Sequence, residues 1–361
     1  MLFSALFALS CWSLVLPSLS VAKPLPWAGR DVTKDAPYTV PVSTLSSAIE
    51  CPSSTPIGDA PGGVVLLVHG TGSTGEESWG STPYASLLPQ LSPGFDICWI
   101  TLPGRSQGDI QVSAEYVAYN VAPLASKSKT GTISVIGHSQ GNLDIQWALN
   151  FWPSTRPLVK SFTSLAGDFN GTDEGPFLCG IGNLTSTGCT PATIQQSTTR
   201  LTGGGPSAFL AALHTFGGKA LVKTTSLFTR YDDVIQSEQE PYPTSRLPGA
   251  DSIALQDEGI CGPAHLAEHF TMLVDTAAFA LAYDALTHDE GDATSRFDKQ
   301  YCFHYINETL VEGDLQLFAK TPDIVKSIVL DVSSFETEPQ QKTEPALMSY
   351  VCESGSAENC G

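Results

Sequence analysis

Two hydrophobic periods alternate along most of this chain. Short apolar runs rich in β-branched residues occupy positions 64–68, 97–101, 133–137, 161–166, 221–229 and 252–255. Between and after them lie longer runs with apolar residues at helical spacing, at 84–91, 114–126, 142–151, 207–216 and 270–286. Strand-like and helix-like segments in alternation predict an α/β fold, a mostly parallel central sheet with helices on both faces. Residues 23–60 are rich in Pro and Ser and are expected to wrap the surface. Residues 169–206 break the rhythm with Gly, Thr and two cysteines, which predicts a lid-like insertion. Positions 316–332 read as one more helix interrupted by Pro322, and the acidic tail 333–361 reads as irregular.

The first 22 residues carry no charged side chain and end in Ser20-Val21-Ala22, small residues at signal-peptidase spacing. They are expected to be a secretory signal peptide, leaving 23–361 as a single domain. The apolar stretch is short and broken by Pro17, which argues against a membrane anchor. Apart from Cys11 the chain has Cys51, Cys98, Cys179, Cys189, Cys261, Cys302, Cys352 and Cys360, an even set suited to an oxidising compartment. None is spaced C-x-x-C, so a thiolate zinc site is not expected. N-x-T sequons at Asn170, Asn183 and Asn307 fit glycosylated surface loops. A formal net charge of −19 makes nucleic acid and anionic membranes poor partners, and neither nucleic-acid binding nor stable membrane insertion is expected.

The most chemically informative stretch is Ile133 to Gly141, where an apolar strand runs into Gly137-His138-Ser139-Gln140-Gly141 and a helix-like segment follows. G-x-S-x-G at a strand-to-helix junction is a nucleophile elbow, with the serine held on a strained turn. The glycines belong there because side chains would collide with the neighbouring strand and helix. Ser139 as a nucleophile needs a base and an acid that orients it, in the chain order Ser, Asp, His. Asp232 follows the strand-like run 221–229, with Asp233 as its neighbouring rival. For the base, His265 and His269 lie just ahead of the apolar run that starts at 270. An oxyanion hole needs two backbone donors. Gln140 supplies the N–H after the serine. The loop His69-Gly70-Thr71-Gly72 after the first strand supplies the other, with Thr71 favoured because its hydroxyl could add a third donor.

Two rival motifs overlap these residues. Gly70 to Gly75 spells G-x-G-x-x-G, but Asp96 precedes the next strand instead of ending it, and no amphipathic helix is expected to start in this loop. His265-Leu266-Ala267-Glu268-His269 spells H-x-x-E-H, a zinc-peptidase signature that lacks a clear third ligand here. A secreted binding protein that keeps the fold without the reaction is the non-enzymatic alternative.

With these residues placed, the chain resembles the Candida antarctica lipase B family of α/β hydrolases from about Cys51 to Cys302. The resemblance rests on 66–75, Ser139-Gln140-Gly141, Gln146-Trp147-Ala148-Leu149, 166–172, Gln195-Gln196, 232–236 and Cys261-Gly262-Pro263. It implies an α/β-hydrolase fold and a secreted carboxylic ester hydrolase, lipase or short-chain esterase, working through an acyl-enzyme without metal or cofactor. Carried over by position, it makes Ser139, Asp232 and His269 the triad and Thr71 and Gln140 the oxyanion donors. It also places Asp168 and Gln196 on the acyl side of the pocket, and implies disulfides Cys51–Cys98 and Cys261–Cys302. A monomer acting on esters or lipids, at an oil–water interface, is the expected form.

Four departures stand out. His138 occupies the position where the family's namesake has a tryptophan flooring the alcohol-side pocket, so a larger or more polar pocket is expected. Cys179 and Cys189 imply an extra bridge in the lid-like segment. Thr343 replaces a family cysteine, leaving Cys352 to pair with Cys360. The run 316–332 is less apolar than the family's entrance helix.

Overall fold

The computed structural model describes residues 33–52, 56–173, 188–198, 205–289, 293–303 and 340–360. The expected signal peptide, Cys179, Asn183, Asn307, the 316–332 helix, the tail up to 339 and most of the lid-like segment lie outside these residues.

Among the described residues, seven strands form one sheet: β1 (Ile49–Glu50), β2 (Val64–Val68), β3 (Asp96–Ile100), β4 (Ile133–His138), β5 (Val159–Leu165), β6 (Thr224–Phe228) and β7 (Asp251–Ala254). Their order is β1-β3-β2-β4-β5-β6-β7, and every neighbouring pair is parallel except β1 with β3. The α-helices are α1 (Val42–Ser47), α2 (Gly75–Trp79), α3 (Pro83–Ser86), α4 (Ile110–Lys127), α5 (Gly141–Phe151), α6 (Pro191–Gln195), α7 (Ala208–Gly217), α8 (Thr276–Thr287), α9 (Ala293–Arg296) and α10 (Ser349–Glu353). No described helix is long and apolar enough to cross a membrane.

β2 shows why its sequence is apolar throughout. Successive side chains point to opposite faces, and both faces are covered. Val64, Leu66 and Val68 join one core with Trp147, Phe209 and Tyr350. Val65 and Leu67 join the other with Trp79, Tyr84 and Phe279. Helix starts are set by side-chain caps, each worth about 1 kcal/mol. Asp109 accepts from Gln111 N–H at 3.0 Å, Ser207 from Leu210 N–H at 3.0 Å, and Asp275 from Ala278 N–H at 2.9 Å.

Two boundaries read from periodicity are corrected, one by a cap and one by a proline. The expected helix 270–286 begins only at Thr276, because Asp275 caps it and 271–273 form a separate 3₁₀ turn. The expected helix 84–91 stops at Ser86, ahead of Pro89, which has no N–H to donate. Within residues 23–60, expected only to wrap the surface, α1 and the edge strand β1 form.

The segment 340–360 packs back over the helices. Glu344 accepts from Ala208 and Phe209 N–H, both at 2.7 Å, at the start of α7. Tyr350 takes the indole N–H of Trp147 at 2.8 Å, and its ring lies edge-on to Phe151 and Trp152. Bridges Cys51–Cys98, Cys261–Cys302 and Cys352–Cys360 are all formed. Cys189 is also disulfide-bonded.

Candidate active site

Ser139 stands at the carboxyl end of β4, with β2 and β5 on either side. Loops leaving β2, β5, β6 and β7 converge at that end of the sheet, the usual ligand side of an open parallel sheet. The Ser139 backbone has φ of +54°, a left-handed conformation that L side chains rarely adopt. Its N–H donates to Leu165 O at 3.0 Å, and Asn142 Nδ2 donates to Ser139 O at 2.9 Å and Leu165 O at 3.0 Å. A Cβ on Gly137 would sit 2.4 Å from Asn142 Oδ1, and one on Gly141 2.6 Å from the Val68 and His69 carbonyls. Gly70 faces the serine, where a Cβ would lie 2.7 Å from Ser139 Cβ. The glycines of the motif are there for space, as the sequence predicts.

His269 comes from the loop after β7, and its Nδ1 pairs with Asp232 Oδ2 at 2.9 Å, both residues being buried. The other oxygen of Asp232 accepts the N–H groups of Val234 at 2.9 Å and Ile235 at 2.6 Å, which fixes the carboxylate. Asp233 points out and is exposed. Gln256 ties the histidine loop down, donating to His265 O and Thr229 Oγ1, both at 2.9 Å, while Thr229 donates to Ala267 O at 2.8 Å. Burial acts to lower the His269 pKa, but Asp232, helped by Asp233 and Glu268, outweighs it and the net shift is upward.

His138, next to the serine, meets this histidine directly. The two rings have centroids 4.8 Å apart, and His138 Nε2–H donates to the His269 carbonyl at 3.1 Å. Burial first, then His269, drives the His138 pKa down to about 3, so its ring is neutral at ordinary pH. His69 is similarly neutral, pushed by burial to about 4, and accepts Leu102 N–H at 2.9 Å.

Thr71, Gln140 and Gln196 are brought together. Thr71 Oγ1 donates to Gln140 Oε1 at 2.5 Å, and Gln196 Nε2 donates to Gln140 Oε1 at 3.1 Å and Thr71 Oγ1 at 3.3 Å. The Thr71 hydroxyl, expected to be available as a third donor, is engaged by Gln140 in this structure. Asp168, in the loop after β5, is fully buried, and burial raises its pKa to about 7. Neither of its carboxyl oxygens has a hydrogen-bond partner, and the same holds for Asp144 on α5, which sequence reading passed over. Burial and Asp168 together raise the Asp144 pKa well above its ordinary value. Its signal was visible: Asp144 is the one charged residue in α5, a helix buried at every position.

Both rival motifs take other roles. A helix does start in the G-x-G-x-x-G loop, contrary to expectation, but it is the five-residue α2, begun by the Thr74–Glu77 capping box. H-x-x-E-H is not on a helix. His265 goes to Asp275, at 2.8 Å, His269 to Asp232, and Glu268 caps the N–H groups of Phe270 and Thr271. No group of three potential metal ligands occurs among the described residues. The expected sequon at Asn170 is on the surface, yet its amide nitrogen donates to Thr244 O at 3.0 Å and Arg246 O at 3.1 Å.

A mostly parallel sheet with a left-handed serine at the end of its central strand, and a buried His–Asp pair from later loops, defines the α/β-hydrolase class. No family model matches the chain. Lipase B of Pseudozyma antarctica is 30% identical over 324 residues, which is 88% of this chain and 86% of that protein. The crystal structure of Aspergillus fumigatus lipase B is similar with a TM-score of 0.73 and 28% identity, covering 92% of this chain and 77% of that one. The chain belongs to the lipase B family and is a carboxylic ester hydrolase.

Proposed function

We propose that the protein is a secreted lipase that hydrolyses carboxylic esters, triacylglycerols included, through an acyl-enzyme on Ser139. The observation that carries this reading is the meeting of two elements at one sheet end: the left-handed elbow of Ser139, and the buried His269–Asp232 pair against which His138 packs. His269 takes the Oγ proton as Ser139 attacks the ester carbonyl, and Asp232 holds the ring and stabilises the imidazolium. The backbone N–H groups of Thr71 and Gln140 receive the oxyanion of the tetrahedral intermediate. Collapse breaks the ester C–O bond, and His269 returns its proton to the leaving alcohol. Water then attacks the acyl-enzyme with His269 again as base, which releases the acid and restores Ser139. Asp168 and Gln196 line the acyl side and His138 the alcohol side. Four disulfide-bonded sites and the apolar N-terminal segment support secretion, with Lys23 as the first mature residue.

Ser139→Ala is expected to abolish p-nitrophenyl ester hydrolysis and labelling by a serine-directed phosphonate while leaving the far-UV spectrum unchanged. Ester hydrolysis that survives the substitution overturns the assignment. A series of rising acyl length, repeated on emulsified triacylglycerol, separates lipase from short-chain esterase. Rates confined to short soluble esters would leave the mechanism standing and remove the lipase reading.

A further inference from the structure

The turn between β3 and α4 holds three consecutive residues in the left-handed region: Gly104, Arg105 and Ser106, at φ of 54°, 55° and 58°. Two of them carry side chains, and such a conformation persists only where its surroundings over-determine it. Here the surroundings are the loop that carries Thr71 and the side chain that follows Ser139. Arg105 and Gly72 bond reciprocally: Gly72 N–H donates to Arg105 O at 2.8 Å, and Arg105 Nε–H donates to Gly72 O at 3.0 Å. The rest of the guanidinium forks onto Glu77, Nη1 to Oε1 at 3.0 Å and Nη2 to Oε2 at 2.6 Å. Glu77 is the third residue of α2 and forms its capping box with Thr74, whose N–H its Oε2 accepts at 3.1 Å. On the other side, buried Ser106 Oγ accepts Gln140 Nε2–H at 2.8 Å.

These contacts close a ring. Thr71 donates to Gln140, Gln140 to Ser106, Ser106 is joined to Arg105, and Arg105 is bonded at both its N–H and C=O partners to Gly72, next to Thr71. The ring passes through both residues whose backbone amides are read as oxyanion donors. We infer that Arg105, clamped by Glu77 and seated on the left-handed turn, is a positioning residue that fixes the Thr71 amide relative to that of Gln140. It touches no reacting atom. A planar fork is needed because one guanidinium must bond a carbonyl and two carboxylate oxygens at once, which an ammonium cannot reproduce. The inference rests on the reading of Ser139, Thr71 and Gln140 given above.

The test compares Arg105→Ala, Arg105→Lys and Glu77→Gln with the wild type on a soluble p-nitrophenyl ester. Each is also titrated with a boronic acid, which forms a tetrahedral adduct on an active-site serine. Small displacements of catalytic groups cost up to about 100-fold. Arg105→Ala is therefore expected to lose about 10- to 100-fold in kcat with KM within about twofold, and boronate affinity should fall by the same factor. Arg105→Lys and Glu77→Gln should fall between the two. An unchanged kcat in Arg105→Ala overturns the inference. So does a loss that appears equally in KM, or one that Arg105→Lys restores fully, since charge or bulk alone would then suffice. Should Arg105→Ala fail to fold, Glu77→Gln carries the same comparison. Failure of the Ser139 reading is separate, because it shows as hydrolysis that survives Ser139→Ala, whatever Arg105 does.

Discussion

Two histidine–aspartate pairs lie four residues apart and look alike in isolation. His269 bonds Asp232 at 2.9 Å and His265 bonds Asp275 at 2.8 Å, and all four residues are buried. In each pair the second carboxylate oxygen accepts backbone N–H, from Val234 and Ile235 in one and from Ala278 in the other. Both histidines have raised pKa values, with burial opposing the shift and the aspartate winning. What differs is the far side of each ring. His269 packs on His138, the residue next to the elbow serine, whereas His265 sits between the α8 cap and the Cys261–Cys302 region, with exposed Leu266 beside it. A paired histidine is a proton carrier only where something presents it with a proton; otherwise the same pair is a staple.

That comparison breaks most visibly at the histidines themselves. His269→Ala should lower kcat by about 10⁴- to 10⁶-fold. His265→Ala should leave kcat within about threefold and lower Tm by roughly 2–5 °C. Steady-state kinetics beside calorimetry reads both, and comparable kinetic losses in the two variants would erase the distinction. At the aspartates the effect is smaller. Asp232→Asn should cost about 10³- to 10⁴-fold in kcat, because the amide favours the wrong tautomer, while Asp275→Asn should act on Tm alone. The smallest effect is in pH. As the proposed base, His269 must be neutral to act, so kcat/KM should fall as pH drops through a value above the ordinary 6.5. His265 gains a partner on folding, so its stabilisation is full below about pH 6.5 and is lost as pH rises through its raised folded pKa. The Tm gap between wild type and His265→Ala should therefore be wider at pH 6 than at pH 9.

The elbow was legible in the sequence because its demands are local and steric: Gly137 and Gly141 are required by atoms within a few residues or on one adjoining strand. The sheet was legible for a related reason, since runs such as Val64–Val68 must be apolar on both faces. The choice between His265 and His269 was not. Both precede the same helix, and their partners are fixed by a loop 37 residues upstream in one case and a cap ten residues downstream in the other. Residue pattern leaned to His269, at the foot of the apolar run, without deciding the choice, and the family resemblance strengthened it. Arg105 was invisible for a different reason. A left-handed arginine has no composition signature, and its value appears only once the Gly72 loop is beside it. Edge strand β1, two residues long, has no period to detect.

The contact between Trp147 and Tyr350 spans 203 positions, which makes it a matter of time as well as space. At synthesis rates of about 5–20 residues per second, Tyr350 emerges roughly 10–40 s after Trp147. Throughout that interval the helix behind the elbow has an indole N–H without its acceptor and Phe151 and Trp152 without the ring that covers them. The packing of the helix that follows Ser139 is complete only when the distal segment arrives. A ribosome that stalls before Tyr350 would therefore hold the helix that follows Ser139 without the acceptor and the ring that complete its packing.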